Sequence, residues 1–173
     1  MKPGYCDRLT RGFYTRDVLD VAPDLLGKVL SVRLPDDTVV RSAITEVEAY
    51  RGDGDLACHA SKGRTDRTEV MFHEGGKVYI YLIYGIHWML NVVTSTEDVP
   101  QAVLIRGVEQ CYGPGRVSRF FSVDRSFYGE DLTLSPRIWI ADGDKPSQIK
   151  TGCRIGIDYA GDYWKSRPWR FFV

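Results

Sequence analysis

The chain has 173 residues, 43% of them hydrophobic and 27% charged, with 17 Gly and 8 Pro; this is the composition of an ordinary globular domain and excludes a disordered or collagen-like chain. Twenty-three Lys plus Arg balance twenty-three Asp plus Glu, so no large net charge points to a nucleic acid, and any such partner must be met by local patches. Cys6, Cys58, Cys111 and Cys153 lie far apart without a C-x-x-C pair, which predicts free thiols rather than a zinc ribbon or a disulfide framework.

Met1-Lys2-Pro3-Gly4-Tyr5 has no apolar signal region, and the longest apolar run, residues 78–93, is shorter than a membrane span. The expectation is therefore a cytoplasmic protein. Thr15 is a fair N-cap for an apolar stripe at Val18, Leu19, Ala22, Leu25 and Leu26, closed by Gly27. Pro23 inside it predicts a kink or a late start. Residues 29–34 and 39–49 read as two strands joined by the turn Pro35-Asp36-Asp37. The second strand puts Glu46, Glu48 and Tyr50 on one face.

Residues 51–70 are polar and Gly-rich and read as an ordered loop. Residues 78–93 are the richest β-forming stretch, and Gly85 divides them into two strands with a tip at Tyr84-Gly85-Ile86. Residues 102–109 form a further buried strand, Gly113-Pro114-Gly115 opens a short helix, and residues 132–140 and 153–157 read as late strands. The tail, residues 163–173, is aromatic and basic. These elements predict one α+β domain spanning residues 1–173: a mostly antiparallel β core, a protruding β-hairpin and short flanking helices.

Several side chains invite chemistry. Glu46 and Glu48 beside Tyr50 suit a general base, because like charge and burial raise a carboxyl pKa; an exposed polar strand face is the plain alternative. His59, His73 and His87 are isolated, so no metal site is expected. Tyr79 and Tyr81 share a strand face while Tyr84 sits at the tip, where an aromatic is costly unless it inserts into a partner, as minor-groove wedges do. Asn91 reads as a core clip or a base-edge reader. Arg106 needs an acidic partner if buried, and Glu48 is the natural one. Basic residues collect at Lys62, Arg64, Arg67, Arg116 and Arg119 and in the tail, a local footprint for phosphates.

Taken together, Glu46-Val47-Glu48-Ala49-Tyr50, Ala57-Cys58-His59, Gly63-Arg64-Thr65, Tyr84-Gly85-Ile86-His87-Trp88 through Asn91-Val92-Val93, Gly113-Pro114-Gly115 and the closing Arg167-Pro168-Trp169-Arg170-Phe171-Phe172-Val173 resemble the alkyladenine (3-methyladenine) DNA glycosylase family. The resemblance implies a monofunctional enzyme that flips a damaged purine out of duplex DNA and hydrolyses its N-glycosidic bond without a cofactor. It implies Glu48 as general base, with Arg106 and the main-chain carbonyl of Val173 holding the attacking water. Tyr50 and Tyr81 would stack on the base, His59 would hydrogen-bond it, Asn91 would disfavour guanine, and Tyr84 would fill the gap in the duplex. Lys62, Arg64, Arg67, Arg116 and Arg119 would meet the DNA backbone. The partner implied is damaged double-stranded DNA, bound by a monomer, at the nucleoid if the source is bacterial. Only Gln110-Cys111-Tyr112 separate the 102–109 strand from the Gly-Pro-Gly turn, a shorter connection than is usual in the family. A non-catalytic lesion-binding protein and a nucleoside hydrolase remain the rival readings.

Overall fold

Helix α2 (Val18–Leu25), preceded by the single turn α1 (Arg11–Tyr14), sets the first packing surface. Its Val18, Val21, Ala22 and Leu25 are fully buried, and each of the larger ones stabilises the fold by roughly 1.5–3 kcal/mol through burial. The cap is Asp17, not Thr15: its side chain accepts from the Leu19 amide at 2.9 Å, so the helix starts late and Pro23 lies near its end. The structure, a computed structural model, describes residues 7–173. Cys6 and residues 1–5 lie outside them, and Cys58, Cys111 and Cys153 are free thiols.

Strands β1 (Val29–Arg33) and β2 (Val39–Tyr50) are joined by the expected turn, with Asp37 at φ 67°. β3 (Val78–Ile83) and β4 (His87–Thr94) form the hairpin, and β5 (Gln101–Val108) is buried along its whole length. β6 (Cys111–Tyr112) folds back on the end of β5, which closes the short connection as a tight hairpin before helix α3 (Pro114–Phe120). β7 (Ile138–Ala141), β8 (Lys150–Gly152), helix α4 (Asp162–Lys165) and β9 (Arg170–Phe172) complete the chain. The strands make one sheet in the order β3-β4-β5-β2-β1-β7, every pairing antiparallel, with β9 joining β2 and β8 joining β9. The fold is thus the expected single α+β domain.

Two late strands are shorter than their sequences suggest. Residues 132–137 are held in turns, where the Ser135 hydroxyl accepts from the Arg137 and Ile138 amides, so only Ile138–Ala141 pairs with β1. Residues 153–157 are not a strand at all.

β2 positions the site. Its first half pairs with β1, and beyond Ala43 its second half lies between β5 and β9. The register with β5 shifts on either side of Glu46, an irregularity that re-aims the side chains of a bulged strand. Both Glu46 and Glu48 thereby reach the same guanidinium, that of Arg106 on β5. Gly115 places α3 against the tip end of the hairpin, since a Cβ there would meet the His87 ring at 2.9 Å.

Candidate active site

At the end of β2 the sheet opens into a cavity of about 380 Å³, walled by Tyr50, His59, Tyr81, Asn91 and Arg106, with Tyr84 at its edge. Glu48 lies behind this wall and is completely buried. One carboxylate oxygen accepts from the Tyr50 hydroxyl at 2.7 Å, and the other from the main-chain amide of Ile155 at 2.7 Å. Both donors belong to cavity-lining residues. Arg106 reaches Glu46 at 3.4 Å and Glu48 at 3.6 Å, so its nearer partner is Glu46, which Arg170 also meets at 3.2 Å. The single partner expected from sequence is a shared one, because two buried carboxylates need more than one cation.

Burial pushes the Glu48 carboxyl above the usual range, while Arg106, the Tyr50 hydroxyl, the Ile155 amide and Arg154 pull it back down. A carboxylate poised in this way is both a better proton acceptor and held in place. The phenols around it stay neutral: burial raises Tyr50, Tyr79 and Tyr81 alike. His59 is pushed down to about 4 by burial and by the nearby Arg67 and Lys62. Its Nδ1 pairs with the Tyr79 hydroxyl at 3.0 Å, which leaves Nε2 for a ligand. The His59 ring packs edge-on against Tyr81, with centroids 4.6 Å apart. Asn91 Nδ2 donates to the carbonyls of Tyr79 and Met89 at 3.3 and 3.2 Å, so the residue is a core clip and also faces the cavity.

Tyr84 is 88% exposed at the tip of the hairpin. It and Gly85 have φ of 50° and 67°, the left-handed pair that a tight hairpin turn requires. A tyrosine held there stores local strain on the order of 1 kcal/mol, which is characteristic of functional positions. Among the described residues, no three His, Cys, Asp or Glu side chains gather as a metal site, and no helix is long and apolar enough to cross a membrane.

The model of the methylpurine-DNA glycosylase family matches residues 12–111 and 109–173. The chain belongs to that family. The two matched segments meet at the tight β5–β6 hairpin, where the connection is short. A relative in Anaeromyxobacter sp. (strain Fw109-5) is 45% identical over 174 residues, covering 95% of this chain and 88% of its own. Another in Methanocella arvoryzae is 42% identical, covering 95% and 91%, and one in Bacillus subtilis (strain 168) is 41% identical, covering 93% and 90%. Each is provisionally named a 3-methyladenine DNA glycosylase.

Within this methylpurine-DNA glycosylase fold, Glu48, Tyr50, His59, Tyr81, Asn91 and Arg106 come together as the sequence suggests, and Val173 does not. β9 runs antiparallel to β2 with Arg170 opposite Glu48 and Phe172 opposite Glu46, so the chain is already moving away from Glu48. Val173 ends half exposed with its amide on the Thr45 carbonyl at 3.1 Å. The main-chain group at Glu48 is that of Ile155, which sequence reading placed in a strand. Tyr159, whose hydroxyl donates to the Ala57 carbonyl, also lines the cavity and was not foreseen. Of the basic residues, Lys62, Arg116 and Arg119 are exposed and make no ion pair among the described residues. Arg64 is committed to Glu69 at 2.6 and 2.8 Å and to Asp98 at 3.2 Å, and Arg67 lies over the Tyr81 ring at 5.1 Å.

Proposed function

We propose that the protein is a monofunctional DNA-3-methyladenine glycosylase that flips alkylated or deaminated purines out of duplex DNA and hydrolyses their N-glycosidic bond. The observation that carries this reading is the pairing of a fully buried, doubly hydrogen-bonded Glu48 with an aromatic cavity whose rim bears the exposed Tyr84.

The aromatic cavity walled by Tyr50, His59 and Tyr81 suits a planar base. A ring-alkylated purine is cationic, and it gains attraction to these electron-rich faces that a normal base lacks. It also leaves readily: the electrons of the C–N bond neutralise the ring, so no second, acidic carboxyl is needed to protonate it. Water adds at the anomeric carbon and gives its proton to Glu48, whose negative charge also supports the oxocarbenium-like transition state. Arg106 and the main chain at Ile155 fix the carboxylate and its water. Tyr84 occupies the place of the flipped nucleotide and offsets an unstacking cost of a few kcal/mol. Lys62, Arg116 and Arg119 suit the phosphate backbone.

Single-turnover excision of a methylated purine from duplex DNA tests this, run beside the free methylated nucleoside and beside Glu48→Gln. The amide keeps the shape but cannot take a proton, so excision should fall by about 10²–10⁴-fold, with affinity for a duplex holding an abasic analogue kept within a few-fold. Excision by the wild type of no alkylated purine would favour a lesion-binding protein, and excision of the free nucleoside alone would favour a nucleoside hydrolase.

A further inference from the structure

We propose that Arg154 is the positioning residue for Glu48, acting through the ring of Tyr50 and the main-chain amide of Ile155 from a buried pair with Asp55. The role in excision rests on the function proposed above.

The side chains of Arg154 and Asp55 are both wholly excluded from solvent. Their contact is bidentate, at 2.6 and 2.9 Å. The remaining Nη hydrogens reach the carbonyls of Ala49 at 3.0 Å and Trp164 at 3.4 Å, while Nε has no partner among the described residues. A charge pair buried in this way, with a donor left over, is a poor source of stability, and apolar residues of the same volume would serve packing as well. Its geometry serves the site instead. The guanidinium lies between the rings of Tyr50 and Trp169, at 4.9 and 5.0 Å. Arg154 does not line the cavity and Tyr50 does, so the cation supports the face of Tyr50 turned away from it.

Three segments converge on this pair. Arg154 bonds the Ala49 carbonyl between Glu48 and Tyr50, and so fixes the end of β2. Asp55 accepts from the amides of Arg51 and Ala57 at 3.0 and 3.1 Å, which orders the loop that carries His59. Ile155, the residue after Arg154, gives its amide to Glu48 Oε1, and Tyr50 gives its hydroxyl to Oε2. Each oxygen of the base is therefore held by a group that Arg154 anchors.

The other charged or titratable groups facing Glu48 are Glu46 and Tyr50 on β2, Arg106 on β5, Arg170 opposite it on β9, Tyr81 on β3 and Tyr159 beyond Ile157. Arg106 is shared with Glu46, and Arg170 makes its ion pair with Glu46. Arg154 favours the ionised form of Glu48 by its charge and by both hydrogen bonds it organises, all in the same direction. Without it, Glu48 holds its proton to higher pH, and the acid limb of excision follows. A residue that only stabilised the fold would change the melting temperature and leave that limb where it is.

The experiment compares wild type, Arg154→Lys, Arg154→Met and Arg154→Met/Asp55→Asn, the last so that no uncompensated carboxylate is buried. The ¹³C carboxyl resonance of Glu48 is titrated in the free protein, and the pH profile of single-turnover excision is recorded for a methylated purine in duplex DNA. In both Met variants the titration and the acid limb should move together to higher pH, with excision below the limb reduced on the order of 10²-fold, and Arg154→Lys should restore part of the shift. Folded variants in which Glu48 titrates as in wild type, with the limb unmoved, would overturn the proposal. A wild type that excises nothing would sink the glycosylase reading instead, and the Glu48 titration alone would then decide whether Arg154 controls this carboxylate.

Discussion

The hydroxyl of Tyr50 donates to Glu48 at 2.7 Å, so the ring that walls the cavity is also a ligand of its carboxylate. Tyr50→Phe separates the two duties, keeping the stacking face and deleting one charge-assisted hydrogen bond worth about 1.5–3 kcal/mol. That corresponds to a roughly 10- to 100-fold loss of single-turnover excision, since every 1.4 kcal/mol is tenfold. The hydrogen bond lowers the Glu48 pKa, so its removal raises that pKa and moves the acid limb of the pH profile upward. Lesion affinity should stay within a few-fold. An unshifted limb in Tyr50→Phe would mean that Glu48 is not the group titrating in excision.

Tyr84 combines near-complete exposure with a left-handed backbone. Replacing it with asparagine, which tolerates that conformation better, should leave the melting temperature unchanged or raise it. Excision from duplex should fall, because nothing then fills the gap left by a flipped nucleotide, while single-stranded substrate suffers less. Equal losses on both substrates would point to a damaged cavity rather than a lost wedge.

His59 supplies a pH dependence of folding. Its folded pKa is about 4, depressed first by burial and then by Arg67 and Lys62, against about 6.5 in an unfolded chain. Between those values the unfolded state binds a proton that the folded state refuses, so His59 favours folding fully above about pH 6.5 and loses that contribution as pH falls toward about 4. Thermal melts of wild type and His59→Gln across this window should show a shallower acid decline in the variant. Parallel curves would show that the histidine is protonated in the folded protein as readily as in the unfolded one.

Much of this architecture can be read from local sequence. The apolar alternation of β1 and β2 around Pro35-Asp36-Asp37, the aromatic run broken by Gly85 and the Gly-Pro-Gly helix start each carry their own short-range signal. The candidate site is legible where its members lie on those elements, as Glu48, Tyr50, Tyr81 and Asn91 do, and Arg106 lies on the apolar strand β5. What sequence could not give depends on partners far away in the chain. Arg154 and Asp55 are 99 residues apart and the Ile155 amide is 107 from Glu48, and no periodicity encodes either contact. In sequence, Arg154 is one more isolated charge and Ile155 one more β-branched residue. Val173 was misplaced for the same reason, because the direction of β9 along β2 is set by pairing across the sheet. A main-chain donor leaves no trace in residue type, so nothing in Ile155 could have marked it.

The basic residues divide into two groups that a salt titration can tell apart. Phosphate contacts release counterions, so each one removed lowers the slope of log affinity against log salt by about one. Lys62, Arg116 and Arg119 are exposed and make no ion pair among the described residues, and alanine at each should reduce the slope of lesion-duplex binding by about that amount. Arg64 is different. Its guanidinium is bidentate to Glu69 and reaches Asp98, and hydrogen bonds from Arg64 and then His73 hold the Glu69 carboxyl down at about 2. A cation already neutralised by two carboxylates displaces few counterions. Arg64→Ala should therefore leave the slope near that of wild type, and any loss of affinity should come from loosening the loop between Gly63 and Phe72, where Arg64 also lies over the Phe72 ring at 5.4 Å. Equilibrium binding to lesion duplex over a range of salt measures all four slopes. A drop of about one in Arg64→Ala would show that the arginine leaves Glu69 for a phosphate on binding, and unchanged slopes for Lys62, Arg116 and Arg119 would move the DNA to another face of the molecule.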